Sequence, residues 1–411
     1  MNTGIESATP NVGTGGISAY LWVLFGICFL SNVLGGTVST LMSVYLPVVV
    51  RDLLGNVTDD RLNQVSAYIN ALYILGWAFG GFSWGVISDK IGRNKSLVFS
   101  IGGYGLFTFL LTQTYTWEMV VLLRMITGFC VGGVLVITAT FLSEVWPEKT
   151  RAIFLGVLSI GFPVGIFSAG AVNYFVSAWR QGFSIGIIPI FLALITILFI
   201  RESEKWATSK PESSSKGTIS QASRENGRNL TKGSLVFGFM IIGLWAIFSW
   251  LPTWIQSLLK EGGQTERGIS MMLLGGVGLT GGFFSGWISN QFGTRKAMMW
   301  CFAGCFLLSC VLFGLATSFS KLIYIGIAML ALCFGVSQGL LSVYIPQLFA
   351  PTIRATATGF CFNIGRLLTA AAVFFVGALV TTLGGYGHAI LAFSIVFLLG
   401  WITLRFSNDK K

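Results

Sequence analysis

Long, continuously apolar runs alternate with short polar turns along almost the whole chain. About twelve of these runs reach the ~20 residues that a helix needs to cross the hydrocarbon core of a bilayer. Transmembrane β-strands would instead give segments of about ten residues with alternating hydrophobicity. The pattern therefore predicts an all-α polytopic membrane protein with twelve transmembrane helices.

One longer polar segment, residues 201–232, interrupts this pattern near the middle of the chain and is rich in Ser, Lys, Arg and Glu. Such a composition is typical of a flexible linker. We therefore expect two six-helix bundles, at 20–200 and 233–405. Short tails at 1–19 and 406–411 complete the chain.

Composition supports a membrane protein, because 54% of the residues are hydrophobic, only 10% are charged and the mean hydropathy is +0.78. A soluble domain would carry about 25% charged residues. The net charge of +11 does not indicate a nucleic-acid partner, since the predicted loops on one side carry most of the positive charge. That asymmetry predicts cytoplasmic termini and a cytoplasmic linker, by the bias of Lys and Arg toward the cytoplasm.

A polar turn at residues 85–95 is repeated at residues 286–296, with an offset of 201. The matching residues are Gly85 and Gly286, Ser88 and Ser289, Gly92 and Gly293, and Lys95 and Lys296. A second repeat aligns residues 146–156 with 349–359, so that Arg151 matches Arg354. Repeats at this separation predict two similar halves.

The first turn closely resembles the loop signature of the major facilitator superfamily, Gly-x-x-x-Asp-[Arg/Lys]-x-Gly-Arg-[Arg/Lys]. The matching residues are Gly85, Asp89, Lys90, Gly92, Arg93 and Lys95. The second copy departs from the signature at Asn290. The resemblance extends over nearly the whole chain and implies a secondary transporter whose two halves rock against each other around a central site.

The resemblance also implies a set of conformational residues. In that family the aspartate, here Asp89, faces the start of the eleventh helix near residues 352–355, where a helix dipole stabilises a carboxylate. The arginine, here Arg93, meets an acidic group at the inner end of the fourth helix, for which Glu144 is the candidate. The complete set predicted to control gating is Gly85, Asp89, Gly92, Arg93, Glu144, Arg151 and Arg354.

Polar side chains deep in membrane helices are costly and are therefore candidates for function. Counting ~1.5 Å per helical residue places Arg124, Arg366 and Asn32 at similar depths. Asn363 lies one turn before Arg366, on the same helical face. Two guanidiniums with no acidic residue at their level indicate an anionic substrate, because a guanidinium can hold a carboxylate through two parallel hydrogen bonds. Tyr73, Trp250 and Gln338 are further candidates for the lining of the cavity.

Alternatives remain for both arginines. Arg124 opens an Arg-x-x-x-Gly-x-x-x-Gly segment that resembles the family's fourth helix, where the arginine serves proton coupling or helix packing. Arg366 ends the segment Gly359–Arg366, which resembles organic-acid transporters of the superfamily.

The function that we predict is alternating-access transport of a small organic anion, by proton symport. A sugar acid such as sialate or a hexuronate, or another carboxylate, would be the substrate. No carboxylate occurs between residues 20 and 50, where many acid-importing relatives keep an aspartate. The alternative is therefore an exporter or antiporter of drugs or metabolites, or a symporter of neutral sugars.

The sequence contains few residues that would support enzyme catalysis, because it has a single histidine and no Walker phosphate loop. We expect no cofactor other than the coupling proton, and no metal site. We also expect a monomer in a bacterial inner membrane.

Overall fold

The computed structural model describes residues 18–208, 216–259, 262–350 and 353–406. Most of both predicted tails, and residues 209–215 of the predicted linker, lie outside these ranges. So do Pro351 and Thr352, at the predicted start of the eleventh helix.

Twelve helices are long and apolar enough to cross a membrane. In the first half they are α1 (Ala19–Leu54), α2 (Asp59–Ile91), α3 (Arg93–Leu110), α4 (Trp117–Val145), α5 (Glu148–Phe175) and α6 (Trp179–Phe199). In the second half they are α7 (Lys216–Ser257), α8 (Gln264–Phe292), α9 (Thr294–Leu315), α10 (Leu322–Gln347), α11 (Arg354–Thr382) and α12 (Tyr386–Phe406). No strand occurs in the ranges that the structure describes, and the all-α, twelve-span prediction is confirmed.

Two of these helices contain tighter turns. A 3₁₀ turn, Leu111–Gln113, continues α3. Another, Ser184–Gly186, lies inside α6 between Trp179–Phe183 and Ile187–Phe199. Such turns commonly occur at helix ends and junctions.

Two described parts of the polar segment at 201–232 are helical. A short helix, Glu204–Thr208, follows α6. The backbone of α7 begins at Lys216 and bends at Asn226, where φ is −125°. The bend separates the polar start of α7 from its apolar part, Asn226–Ser257, which is the candidate membrane span.

The two halves have the same internal packing. In the first half α2 packs on α4, α1 on α5 and α3 on α6, and in the second half α8 packs on α10, α7 on α11 and α9 on α12. Between the halves, α5 contacts α8, α2 contacts α11, and α1 contacts α7. Each pairing has a counterpart six helices later, as a duplicated bundle requires.

The repeated polar turns adopt the same backbone structure. Gly92 ends α2 with φ 103°, and Gly293 ends α8 with φ 82°. Their amides donate to the backbone oxygens of Ser88 and Ser289. A positive φ favours glycine, because a Cβ would crowd the following carbonyl. We call the end of the bundle that holds these two turns the signature end, and the opposite end, which holds Gly55 and Gly262, the far end.

Small residues allow α2 and α4 to pack closely. A Cβ at Gly80 would overlap the backbone oxygen of Phe129, and one at Gly128 would overlap that of Tyr73. Backbones that approach this closely gain dispersion contacts, which drive helix association in lipid. The packing fixes the position of the α2 aromatic residues that face the second half.

Candidate functional site

Arg366 lies near the middle of α11, where this helix meets α2 and α7. The side chain is partly exposed, and the one hydrogen bond that it forms with the described residues runs from Nη1 to Asn363 Oδ1 at 3.2 Å. The guanidinium carbon lies 5.6 Å from the ring centre of Trp77 and 5.9 Å from that of Phe237. No carboxylate among the described residues pairs with it. The site therefore presents a cation that has no counter-charge from the protein.

Aromatic rings from both halves surround this cation. Trp77 on α2 meets Trp245 on α7 edge to face, with 5.3 Å between ring centres, and meets Phe162 on α5 at 5.4 Å. Phe237 stacks on Phe362 at 4.4 Å. The rings exclude water from one side of Arg366 and strengthen its attraction for an anion.

Arg124 occupies a different environment. Its side chain is only 1% exposed, and Nη1 and Nη2 donate to the backbone oxygens of Val38 and Ser39 on α1 at 3.0 and 3.2 Å. The guanidinium carbon lies 3.9 Å from the ring centre of Tyr73. In this conformation Arg124 is therefore a bridge between α4, α1 and α2, and does not line an accessible cavity. Contact between Arg124 and a substrate stays a prediction.

Tyr73 connects the environments of the two arginines. Its hydroxyl donates to Ser39 Oγ at 2.5 Å, and its ring lies between Arg124 and Trp77, with 6.0 Å between the two ring centres. Because Trp77 contacts Arg366, both arginines pack against the same face of α2.

The two predicted asparagines also differ. Asn32 is 1% exposed and donates to Cys28 O and Thr138 Oγ1, while its Oδ1 has no partner. Asn363 lies against α2, where a Cβ on Gly81 would be 2.5 Å from its Oδ1. Asn363 therefore positions Arg366, whereas Asn32 packs inside the first half.

Gln338 and Trp250 lie apart from Arg366 in the contacts that the structure records. Gln338 on α10 is exposed. It lies on the side of the helix opposite the exposed Ile325 and Val343, so its side chain faces the interior of the bundle. Trp250 is fully buried and packs on Tyr386, while its Nε1 has no partner.

At the signature end, Arg93 joins two carboxylates. Its Nη1 lies 2.5 Å from Asp89 Oδ1, and its Nη2 lies 2.8 Å from Glu144 Oε1. The predicted pairing of Arg93 with Glu144 is present. The Asp89 side chain is 68% exposed and turns to Arg93; its predicted partner, the start of α11, includes residues outside the described ranges.

The remaining gating residues shape the turns at this end. Arg151 donates through Nε and Nη2 to the backbone oxygen of Trp146, and Arg354 donates through Nε to that of Phe349. The two arginines therefore cap equivalent helix ends in the two halves. The described residues leave open space around Gly85, whereas the carboxylate of Glu202 lies against Gly92.

Glu202 is a residue of this end that sequence reasoning missed. Its carboxylate accepts from the backbone amides of Arg93 and Asn94 at 2.7 and 3.1 Å, at the start of α3. Trp206 donates from Nε1 to the backbone oxygen of Asp89 at 2.8 Å. A carboxylate at a helix N-terminus stabilises the orphan amides there. The only sequence signal was an acidic residue directly after the last span of the first half.

The far end is closed and the signature end is open. At the far end, a Cβ on Gly170 of α5 would lie 2.6 Å from the backbone oxygen of Gly268 on α8. Tyr386 also donates to Asn63 Oδ1 at 2.5 Å across the halves. Toward the signature end of the same two helices, nothing lies within 4 Å of a Cβ built on Gly156 or Gly286. Along α5 and α8 the two halves therefore pack closely at the far end and leave space toward the signature end.

Comparison with known proteins identifies the family. Residues 27–373 match the model of the Major Facilitator Superfamily. The chain belongs to the major facilitator superfamily. It is therefore a multi-pass membrane transport protein and not an enzyme, and the resemblance noted in the signature turn is confirmed.

This superfamily member is similar to several curated bacterial transporters. The cis,cis-muconate transport protein of Acinetobacter baylyi is 24% identical over 412 residues, which cover 96% of each chain. The sialic acid transporter NanX of Escherichia coli is 27% identical over 333 residues, with 79% of each chain covered. The gallate transporter of Pseudomonas putida is 24% identical, with 90% of this chain and 87% of the relative covered.

Solved structures share the superfamily fold. A D-xylose-proton symporter superposes with a TM-score of 0.77 at 17% identity, covering 94% of this chain and 97% of the other. Across the residues that can be described, no three His, Cys, Asp or Glu side chains gather as a metal ion would need.

Proposed function

We propose that this transporter carries a small organic anion across the membrane by alternating access, and that Arg366 binds the anionic group. The observation that carries this proposal is a partly exposed arginine in the middle of a membrane helix, to which only Asn363 is hydrogen-bonded among the described residues. An unpaired charge at this depth is costly. A substrate carboxylate would offset that cost through two parallel hydrogen bonds.

The surroundings of Arg366 favour an acid with an apolar or ring-shaped body. Trp77 and Phe237 place their rings next to the guanidinium, and Trp245 packs edge to face on Trp77. Gln338 can donate to and accept from hydroxyl groups. Muconate, sialic acid and gallate, the compounds named for the relatives, are all carboxylates and support the same substrate class.

We propose proton symport as the coupling. Every carboxylate in the described spans lies within a few residues of a helix end, so no acidic group at the level of Arg366 can carry the proton. Glu144 is the best placed of these carboxylates, because its Oε2 is buried and has no hydrogen-bonding partner. In this proposal the signature end and both termini face the cytoplasm of a bacterium, and the transporter acts as a monomer.

A binding screen on the purified protein tests the substrate class. Labelled muconate, sialic acid and gallate would be compared with their uncharged amides or esters and with neutral sugars, by thermal stabilisation and by isothermal titration calorimetry. We expect at least one acid to raise the melting temperature, while its uncharged analogue does not, because only a ligand that binds the folded state stabilises it.

Uptake into proteoliposomes then tests the coupling. We expect the acid that binds to accumulate when the lumen is alkaline, and not when the proton gradient is collapsed. Stabilisation by neutral sugars and by none of the acids would contradict the proposed anion. Accumulation that ignores the gradient would contradict proton symport alone.

A further inference from the structure

Another arginine, Arg267, lies at the far end, where the two halves pack together, and no carboxylate among the described residues forms an ion pair with it. Arg267, in the first turn of α8, is 4% exposed. Its Nη1 donates to Gln256 Oε1 on α7, and its Nε has no hydrogen-bonding partner. Glu266 precedes it in the chain, yet no carboxylate oxygen among the described residues lies within 4.0 Å of the guanidinium.

The side chains around Arg267 are also incompletely bonded. Asn173 on α5 is fully buried, and neither Nδ2 nor Oδ1 has a partner. Tyr45 on α1 donates from its hydroxyl to the backbone oxygen of Val176, three residues after Asn173, at 2.5 Å. We call Arg267, Asn173 and Tyr45 the far-end cluster. It brings together one cation and two polar groups, and within the part of the chain that the structure describes no ion pair neutralises the cation.

The position of the far-end cluster relates it to the transport cycle. Tyr45 and Asn173 belong to the first half and Arg267 to the second, so the cluster exists only while the far end is closed. Gln264 strengthens this closure by donating to the backbone oxygen of Asn173 at 2.8 Å. Separation of the halves at this end would expose Arg267.

Burial of an unpaired guanidinium makes the closed state costly. In the far-open state, water or an anion can satisfy the Nε and Nη groups. A guanidinium at the mouth of a passage also raises the local concentration of anions. Both effects favour a negatively charged ligand at Arg267 before closure.

We propose that Arg267 forms a second anion site at the far mouth, which holds the carboxylate of the transported acid while the far end is open and releases it toward Arg366 as the end closes. This inference rests on the proposed function. It adds a residue that determines affinity from one side of the membrane only.

The test compares binding in two conformations. Gly170→Trp places a large ring against the backbone oxygen of Gly268 and so keeps the far end open. Ser270→Cys, at a position that is fully buried here, reports that opening through its reaction with a hydrophilic maleimide. Gly268→Trp, whose side chain would meet Tyr174, serves the same purpose if the first variant is not recovered.

Arg267→Gln is then made in the open and in the unmodified background, and binding of muconate, sialic acid and gallate is measured by calorimetry. We expect at least about tenfold weaker binding in the open background, since hydrogen bonds to charged groups contribute about 1.5–3 kcal/mol. In the unmodified background we expect less than about a twofold change, because burial removes Arg267 from the ligand. Arg267→Lys should recover part of the loss.

Gln256→Ala is the matched control. It removes the contact that holds Arg267 in the closed state and should leave binding in the open background unchanged. Equal weakening by Arg267→Gln in both backgrounds, or equal weakening by Gln256→Ala, would overturn the far-end site. Unchanged binding by Arg267→Gln in both backgrounds would also overturn it. Arg366→Gln separates the two proposals: if it weakens binding while Arg267→Gln does not, only the far-end site is lost. If neither variant weakens binding, the anion transport proposal fails as well.

Discussion

Arg124 and Arg366 are the same residue type, lie deep in membrane helices and pack against the same face of α2, yet their environments differ. Arg124 is 1% exposed, donates to two backbone oxygens and lies over Tyr73. Arg366 is partly exposed and has a single side-chain partner, Asn363. Arg124 donates two hydrogen bonds within the protein and is buried, although its Nε has no partner among the described residues. Arg366 donates one and is partly exposed. The presence of a buried charge does not by itself identify a ligand site; donors that a ligand can reach do.

Replacement of Arg366 should give the largest effect on binding. We expect Arg366→Gln to weaken binding of the transported acid about 10–100-fold, because each hydrogen bond to a charged group contributes about 1.5–3 kcal/mol. The melting temperature of the ligand-free protein should be unchanged or higher, since the variant removes an unpaired charge. Calorimetry and thermal unfolding measure the two effects.

Two variants serve as controls for this experiment. Arg366→Lys keeps the charge but loses the planar pair of donors, so intermediate affinity is expected. Arg61→Gln removes an exposed charge at the far end and should leave binding unchanged. If Arg366→Gln binds the acid as well as the unmodified protein does, the two arginines do not differ in the way proposed.

Replacement of Arg124 should affect stability more than binding. Arg124→Gln removes the guanidinium's hydrogen bonds to the backbone oxygens of Val38 and Ser39, which keep only their bonds within α1, and a hydrogen bond to a charged group contributes about 1.5–3 kcal/mol. We expect a lower melting temperature and lower yield, with the affinity of the remaining folded protein changed less than about threefold. An unchanged melting temperature together with lost binding would assign Arg124 to the substrate site.

The fold could be predicted from sequence because its signals are local. Twelve apolar runs, the turn repeated at Gly92 and Gly293, and the matched arginines Arg151 and Arg354 all have counterparts in the structure. Each depends on residues close together in the chain, where hydrophobic length and glycine conformation decide the outcome.

The site was less predictable, because it depends on which side chains contact each other across helices. Depth along a helix suggested that Arg124, Arg366 and Asn32 are equivalent, but depth does not give the direction of a side chain. The backbone oxygens of α1 that accept from Arg124 carry no sequence signal, since every residue has one. The capping role of Glu202 at the start of α3 spans more than 100 positions of the chain, so no local pattern revealed it.

Tyr73→Phe should have the smallest effect. This variant tests whether the ring or the hydroxyl group of Tyr73 couples Arg124 and Arg366. The variant removes the hydrogen bond to Ser39 and keeps the ring between Arg124 and Trp77. We expect a loss of stability of about 0.5–1.5 kcal/mol, the usual contribution of one hydrogen bond, and unchanged affinity for the transported acid. Tyr73→Ala, which also removes the ring, should lower stability further and weaken binding, because Trp77 loses the support that holds it against Arg366. Equal affinities in both variants would show that Arg366 binds its ligand independently of the packing around Arg124.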